Sequence, residues 1–431
     1  MAQADSASAR GIAARLRTLL GSRRRLVLDY MTAVSGSGGR LVFSLVYFVA
    51  LANALSLGDF GVFATASAAG VMLSRLLGFG FISALYRTAT VRPRLIGVFT
   101  AGFAMMSLLS LPLLAAASWA VHALFFGDSL ALPVYALIIA AEALLWRPVE
   151  AVIIVNNGCG RFGRGAAMAI LGIAMRAVAA AGFYLAADRS LEGWAWCYLA
   201  ANGAALAIAC LFFYPGQRLR LAPALYWRRL PDSVYVAAAE LLFYLQQEFD
   251  KLLVLAIGGA NLAGVYAIVM RMIDLTAIPI RTFNMLLVQK LMRAPNMLAA
   301  WRTRLTFEAG IFAVSLLGML ALAGLLHVYP NLLGQNVATA APLLMLALAI
   351  PGLRNLIEYH GELLYARGQT LHRTAILALL AGLKGLLLYV LLSSVEDTAG
   401  MIGWLNLAFA LLYLTSALLT YARLRRPAKR I

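Results

Sequence analysis

The stretch LSLGDFGVFA, from Leu55 to Ala64, has a counterpart in IGGANLAGVYA, from Ile257 to Ala267. Each lies between two long apolar runs and places a short Gly-rich turn before Gly, Val, an aromatic residue and Ala. The basic link GCGRFGR, residues 158–164, corresponds loosely to YARGQTLHR, residues 365–373. Both matches keep the same order along the chain, so we expect two repeats in the same orientation, a design typical of transporters. The alternative is that small residues recur by chance between apolar helices.

The composition around these stretches excludes a soluble enzyme. The 431 residues are 63% hydrophobic and 13% charged, whereas soluble domains are about 45–50% apolar and about 25% charged. The net charge of +18 does not indicate nucleic-acid binding, because the basic residues are short clusters between long apolar runs. Three cysteines without CxxC spacing support neither a disulfide framework nor a zinc site.

The apolar runs are long enough to cross a membrane. A bilayer core of about 30 Å requires about 20 mostly apolar residues per helix, and about twelve such runs are present. We therefore predict an all-α polytopic membrane protein built from two six-helix bundles. The predicted spans are 28–55, 60–85, 95–124, 131–155, 165–187, 192–214, 233–257, 262–287, 304–327, 339–364, 373–394 and 399–422. The predicted units are a basic tail (1–27), a first bundle (28–214), a linker (215–232), a second bundle (233–422) and a second basic tail (423–431).

The basic residues predict the orientation of these spans. Lys and Arg are concentrated in the two tails and in alternate loops, whereas the intervening loops contain one basic residue, Arg189. Positively charged short loops stay on the cytoplasmic side of a membrane. Both termini and the basic loops are therefore predicted to be cytoplasmic, and no secretory signal peptide is expected at the N terminus.

Several charged residues fall inside the predicted spans, where each costs at least about 2.5–3.5 kcal/mol near the bilayer centre. Arg40, Arg75, Arg176 and Lys384 have no opposite charge three or four residues away in their own helix. Each must therefore find a partner on another helix, lie near water, or meet an anionic ligand. Arg offers a bidentate donor fork to an anion such as a diphosphate, although snorkelling or structural roles for Arg40 and Arg75 remain an alternative.

Further charged residues line single helix faces in the second half. Glu240, Glu248 and Lys251 share one face of the seventh span, with Asp250 beside it. Three pairs have the spacing of ion pairs within one helix, which is the alternative to a role facing a cavity. These pairs are Arg147 with Glu150, Arg271 with Asp274, and Arg354 with Glu358.

Taken together, LANALSLGDFGVFA (51–64), SRLLGFGFISALYR (74–87) and EFDKLLVLAIGGANLAGVYAIVMRM (248–272) resemble the polysaccharide-transporter family, the Wzx-type flippases. This family belongs to the multidrug, oligosaccharidyl-lipid and polysaccharide (MOP) exporter superfamily. Its turn ending in an aromatic residue and Gly is matched by Asp59-Phe60-Gly61, and its seventh-helix Asp is matched by Asp250. The resemblance covers nearly the whole chain in layout.

The resemblance implies a V-shaped protein of two six-helix bundles that rocks between inward and outward openings. It implies export of an undecaprenyl-diphosphate-linked oligosaccharide across a bacterial inner membrane for O-antigen, exopolysaccharide or capsule assembly. A polymerase and a chain-length regulator are the partners expected by analogy, no cofactor is implied, and H⁺ or Na⁺ coupling is expected. A multidrug and toxin extrusion (MATE) antiporter of the same plan is the first alternative. A membrane glycosyltransferase or ligase is the second, but the predicted external loops are too short to carry its catalytic groups.

Within this interpretation the charged residues receive two hypothetical roles. The expected contacts of the diphosphate and acidic sugars are Arg40, Arg75, Arg176, Lys251 and Arg271. The expected coupling-ion residues are Asp250, Glu240 and Glu248, because carboxylates can hold a proton or Na⁺.

Overall fold

The computed structural model describes residues 39–293 and 301–424, and within this part the chain is helical and contains no β-strand. The predicted tail 1–27, the start of the first span and residues 425–431 lie outside the described residues. The helices of the first half are α1 (Gly39–Ala54), α2 (Leu57–Leu73), α3 (Phe81–Val91), α4 (Ile96–Phe125), α5 (Leu132–Ile139), α6 (Arg147–Gly158), α7 (Phe162–Tyr184) and α8 (Leu191–Ile208). The helices of the second half are α9 (Pro223–Arg293), α10 (Trp301–Val328), α11 (Gln335–Ala340), α12 (Leu343–Leu346), α13 (Ile350–Ala366), α14 (Thr370–Ser394) and α15 (Thr398–Leu424).

The predicted all-α polytopic membrane fold is confirmed. Each of the twelve predicted spans is mostly helical where the chain is described, and turns at 341–342 and 347–349 interrupt the tenth. By length and apolar composition alone, eight of the described helices can cross a membrane, or nine if the bent pair Gln335–Leu346 and Ile350–Ala366 forms one span. The predicted fourth span is divided among α5, a π-helical segment (Ala140–Trp146) and α6, and it carries Glu142, Arg147 and Glu150.

Helix α9 contains the seventh and eighth predicted spans and reverses direction within its limits. Its 71 residues would measure about 105 Å if straight, far more than the bilayer core of about 30 Å. The backbone leaves helical geometry at Gly259, where φ is 79° and ψ is 175°, values that favour Gly. The Tyr266 hydroxyl donates to Asp250 Oδ2 at 2.6 Å, although the two residues would be about 24 Å apart along a straight helix. The chain therefore forms a hairpin at Gly259. The helix also begins inside the predicted 215–232 linker, at Pro223.

The two repeated stretches pack directly against each other. A Cβ atom on Gly61 would lie 2.3 Å from the backbone nitrogen of Gly264, and one on Gly264 would lie 2.1 Å from the Leu57 carbonyl oxygen. Only the absence of side chains at both positions allows the backbones of α2 and α9 to approach this closely. The repeat recognised in the sequence therefore forms the contact between the two halves.

Further contacts join the two halves at the same end of the molecule, which the sequence predicts to be external. Asn53 Nδ2 donates to the Leu333 carbonyl at 2.9 Å. Asn336 Nδ2 donates to the carbonyls of Ala52 at 2.6 Å and Leu55 at 3.0 Å. These bonds tie the end of α1 to the 331–336 segment of the second half.

The close approach at Gly61 generates a stability prediction. Gly61→Ala forces the α2 and α9 backbones apart, so we expect it to lower the free energy of unfolding by about 1–3 kcal/mol. Thermal unfolding of the purified protein in detergent measures this change. Gly310→Ala is the matched control, because the space around Gly310 in α10 is open and Ala favours helix. Equal melting temperatures for both variants would contradict a stabilising role for the Gly61–Gly264 contact.

Candidate functional site

The first charged cluster lies where the first half meets α9. Arg75 donates to both oxygens of Glu150, at 2.9 and 3.2 Å, and Arg147 donates to Glu150 at 2.7 Å. Arg147 also bonds Glu240 of α9 at 2.8 Å, and the Arg75 guanidinium carbon lies 4.2 Å from the centroid of the Tyr244 ring. Arg75 begins a break in the second span, a 3₁₀ segment at Ser74–Gly80 that is non-helical at residues 77–79.

A second cluster lies within the first half. Arg176 of α7 donates to Asn202 Oδ1 at 2.7 Å and lies 3.3 Å from Glu142, which is 1% exposed. The Tyr198 hydroxyl also donates to Glu142, and the Arg176 guanidinium stacks over the Trp146 ring at 4.3 Å. Arg176 is therefore held by groups from two other helical segments, α8 and the π-helical segment Ala140–Trp146.

The third cluster lies in the second half around Asp250. The Asp250 carboxylate is fully buried and lies 2.9 Å from Lys384 Nζ, and it also accepts the hydrogen bond from Tyr266. Lys384 donates a further bond to the Gln246 carbonyl at 2.9 Å. Beside this cluster, Lys251 pairs with Glu248.

The remaining charges form a network that differs from the within-helix pairs. Asp274 pairs with Arg281 at 3.2 Å and with Arg354 at 3.4 Å, and Glu358 pairs with Arg281 at 3.2 Å. The alternative of within-helix pairs of Arg271 with Asp274 and of Arg354 with Glu358 is not realised among the described residues. Asp274 pairs instead with Arg281 and with Arg354 of α13, and Glu358 pairs with Arg281 of α9. The Arg147–Glu150 pair is formed as expected.

Arg40 and Arg271 differ from the other candidates. Arg271 donates to the hydroxyl of Ser44 on α1, and Arg40 of the same helix is exposed. Arg271 and Arg281 lie near enough to repel the charge of Arg40, and Glu150 lies near enough to attract it. Within residues 39–293 and 301–424, neither Arg40 nor Arg271 forms an ion pair. Two like charges thus lie close together on facing elements of the two halves.

A cavity of about 640 Å³ opens in the second half towards the predicted cytoplasmic end. Tyr86 of the first half lines it, together with Arg281, Glu358, Glu362 and Arg373 of the second half. A second cavity, of about 890 Å³, lies at the predicted external end and is lined by residues of both halves, among them Asn53 and Asn336. In the described part of the chain, no three His, Cys, Asp or Glu side chains are placed to hold a metal ion.

The structure thus separates the sequence-predicted site residues into groups. Arg75 and Arg176 find carboxylate partners on other helices, as does Lys384. The expected coupling-ion residues Glu240, Glu248 and Asp250 are each paired with a base. Only Arg40 and Arg271 among the expected anion contacts are without an ion pair in the described residues.

Sequence reasoning missed a buried acidic site in the second half. Glu308, inside the predicted span 304–327, lies 3.0 Å from the ring of His360, which is fully buried. Tyr413 donates to Glu308 at 2.7 Å, and Tyr421 donates to it as well. The signal was a carboxylate and a His within apolar runs, but their distance along the chain hid their contact.

Comparison with known proteins defines the class of fold. No protein-family model matches the sequence, and comparison with curated proteins found no significant match. A multidrug resistance MATE-family transporter of the MOP superfamily, in its inward-facing conformation, has a TM-score of 0.65 at 14% identity over 89% of this chain and 94% of that one. An outward-facing conformation gives a TM-score of 0.63 at 15% identity over 90% of this chain and 93% of that one.

A third similar structure is a MOP-superfamily transporter from Pyrococcus furiosus. Its TM-score is 0.61 at 14% identity, with 90% of this chain and 93% of that one covered. The chain is thus a multi-pass membrane protein with the fold of MOP-superfamily transporters.

A prediction about the buried Asp250–Lys384 pair tests whether the two charges stabilise each other. Asp250→Asn leaves the Lys384 ammonium buried without its counter-charge, so we expect a loss of about 3–5 kcal/mol of stability. The double variant Asp250→Asn, Lys384→Met removes both charges and should recover much of this loss. A double-mutant cycle of thermal unfolding in detergent measures both effects, and a double variant as unstable as the sum of the single variants would contradict the pairing.

Proposed function

We propose that this protein is a Wzx-type flippase that carries an undecaprenyl-diphosphate-linked oligosaccharide across the bacterial inner membrane by alternating access. The observation that carries the proposal is the pair of arginines, Arg40 and Arg271, on facing elements of the two halves without ion-pair partners among the described residues. Their mutual repulsion is relieved by a bound anion. A diphosphate suits them because each guanidinium can donate two parallel hydrogen bonds to phosphate oxygens.

The surroundings of these arginines support a substrate that is both anionic and rich in hydroxyl groups. Arg281, which acts on the charge of Arg40, lines the cavity with Arg373, Glu358, Glu362 and Gln247. Such a lining offers donors and acceptors to sugar hydroxyls as well as cationic groups to phosphate. The cavity of about 640 Å³ is open, so a lipid-linked head group could extend beyond it.

The other expected anion contacts receive supporting roles in this proposal. Arg75 and Arg176 are already neutralised by Glu150 and Glu142, and Lys251 by Glu248. A phosphate reaching any of them must displace a carboxylate. We therefore assign the main anion contact to Arg40 and Arg271, with Arg75, Arg176 and Lys251 contacting the substrate only if their pairs open.

The proposal includes the membrane, orientation and partners that the sequence predicts. The protein lies in the inner membrane with both termini in the cytoplasm, and the cavity receives substrate from the cytoplasmic leaflet. A polysaccharide polymerase and a chain-length regulator are the proposed pathway partners. The protein performs no covalent chemistry and binds no nucleic acid.

The alternative function is a MATE-type multidrug antiporter. The similar structures described as multidrug transporters favour it, as do Glu358 and Glu362 in the cavity. The Pyrococcus furiosus structure is described as having a binding pocket of reverse polarity that suggests a different function. Pocket polarity therefore bears on substrate class within this fold, and unpaired arginines favour an anion over a cationic drug.

Mass spectrometry of lipid extracts tests the substrate class. In a strain lacking this protein, we expect one complete polyprenyl-diphosphate-linked repeat unit to accumulate and surface polysaccharide to be lost. Expression of the wild-type protein should reverse both effects. An unchanged lipid pool with altered sensitivity to cationic drugs would replace the proposal with the antiporter.

Complementation of the same strain tests the arginine pair. Because a charged hydrogen bond contributes about 1.5–3 kcal/mol, Arg40→Ala and Arg271→Ala should each reduce export about ten-fold or more at equal protein abundance. Arg94→Ala is the matched control, since Arg94 is exposed in the short Pro93–Leu95 segment. Wild-type export by both Arg40→Ala and Arg271→Ala would show that these arginines do not bind the substrate.

The proposal includes coupling to H⁺ or Na⁺. Because Lys384 already neutralises Asp250, we expect Na⁺ to bind at Asp250 only when the Lys384 ammonium is removed. The Lys384 ammonium lies where a Na⁺ ion would contact Asp250, the Tyr266 hydroxyl and the Gln246 carbonyl. We expect Na⁺ to raise the melting temperature of Lys384→Met but not that of the wild-type protein. Choline chloride at the same ionic strength is the control. A Na⁺-specific rise in the wild-type protein would show instead that a Na⁺ site exists beside the intact pair.

A further inference from the structure

An apolar groove of about 550 Å³ lies within the first half, and among the described residues none lines both this groove and the cavity of the second half. Apolar side chains form most of its wall, and no charged side chain of the described residues lines it. It opens sideways, because Ala104 and Leu108 of α4 and Leu144 of the π-helical segment are exposed along it. Since these residues lie in predicted spans, the groove faces the acyl chains of the membrane.

Three walls of the groove belong to segments that leave regular α-helical geometry. Leu77 lies in the non-helical break of the second span, and Leu144 lies in the π-helical segment. Cys210 lies in a second π-helical segment, Ala209–Phe213. Such interruptions within longer helices are frequent at functional sites. The groove is therefore built from the irregular parts of the first half.

The groove matches the depth of one membrane leaflet. Its lining residues on α4 run from Thr100 to Leu111, which is about 16 Å along the helix axis. One leaflet contributes about 15 Å to the bilayer core. Near the predicted cytoplasmic end, the Tyr214 hydroxyl donates to Thr100 Oγ1 at 3.0 Å. A single acyl chain of the cytoplasmic leaflet therefore fits the groove in length and in its mainly apolar lining.

Exposed arginines surround the predicted cytoplasmic mouth of the groove. Leu219 of the linker lines the groove, and Arg218 and Arg220 on either side of it are exposed. The exposed Arg164 of α7 reaches the same edge, because its guanidinium donates to the Phe212 carbonyl. Within residues 39–293 and 301–424, none of these three arginines forms an ion pair. Their positive charge is therefore available to an anionic group at the mouth.

The linker is fixed over this mouth by contacts with the start of α4. Gln217 Nε2 donates to the Pro93 carbonyl at 2.9 Å, and Gln217 Oε1 accepts a hydrogen bond from the Gly97 amide at 3.2 Å. A Cβ atom on Gly97 would lie 2.2 Å from the Arg218 carbonyl oxygen, so only Gly allows the linker to pack this closely. The basic edge and the apolar groove thus form one continuous surface.

We propose that this surface binds one anionic phospholipid of the cytoplasmic leaflet. An acyl chain lies along α4 in the groove, and the phosphate head group contacts Arg164, Arg218 and Arg220. Guanidinium groups donate paired hydrogen bonds to phosphate, and basic residues next to membrane spans attract anionic lipids. The site goes beyond the proposed flippase function, because it lies outside the cavity and binds lipid whichever substrate crosses the membrane. The bound head group connects the linker between the two halves to the membrane surface.

Native mass spectrometry of the full-length protein in detergent tests the site with dioleoylphosphatidylglycerol as the probe. We expect the first molecule of this lipid to bind at least about ten-fold more tightly than dioleoylphosphatidylcholine, which has the same acyl chains and no net charge. Equal affinities for the two lipids would overturn the proposal.

Two variants test the contact with the head group. Arg218→Gln and Arg220→Gln should each weaken the binding of phosphatidylglycerol about five-fold, the contribution of one basic residue near an anionic lipid surface. Arg302→Gln is the matched control, because Arg302 is an exposed base at the start of α10 in the second half. If these three variants bound phosphatidylglycerol equally well, the arginines of the linker would not hold the head group and the proposal would be wrong.

Ala104→Phe tests the groove itself. Because Ala104 is exposed, the larger ring can fill the groove without entering the core, and we expect the affinity for both phospholipids to fall about ten-fold. Ala116→Phe is the control, since Ala116 is exposed on the same helix and does not line the groove. Unchanged binding by Ala104→Phe would contradict an acyl chain in the groove. Tighter binding of undecaprenyl phosphate than of phosphatidylglycerol, abolished by Ala104→Phe, would assign the groove to a polyprenyl tail and overturn the proposal.

Discussion

The need to neutralise charge inside an apolar medium organises this molecule. A lone charge near the bilayer centre is expensive, and an unpaired one also leaves its hydrogen-bonding groups unsatisfied. Glu150 forms ion pairs with Arg75 and Arg147, and Arg147 also forms an ion pair with Glu240 of α9. Because these bonds join the first half to α9, the constraint that satisfies individual charges also connects the two halves.

Close backbone packing complements these ionic contacts at the other end. Gly61 and Gly264 let α2 and α9 touch without side chains between them, and Asn53 and Asn336 add hydrogen bonds to backbone carbonyls. Small residues and amide side chains are effective between helices in a membrane, where apolar side chains gain little by leaving lipid. These contacts join the two halves at the predicted external end without an ion pair among the described residues. Ionic contacts, in contrast, surround the cavity.

The charged residues differ in whether a partner within the protein neutralises them. Three bases form ion pairs with carboxylates of other helices and thereby connect those helices: Arg75, Arg176 and Lys384. Arg40 and Arg271 have no such partner in the described part, and in the proposed function they attract the anionic substrate. Glu308 contacts His360 rather than Arg or Lys.

The sequence by itself determined the all-α membrane fold, and it singled out the two stretches around Gly61 and Gly264 that contact each other. These follow from local properties, namely the length of apolar runs and the recurrence of short motifs. It also showed that Arg75, Arg176 and Lys384 needed partners beyond their own helices. Only the tertiary structure decided which partners they have, why Asp274 faces Arg354 rather than Arg271, and that Glu308 meets His360. Helix spacing predicts neighbours three or four residues apart, whereas these contacts join distant segments whose relative rotation depends on the packing of the whole bundle.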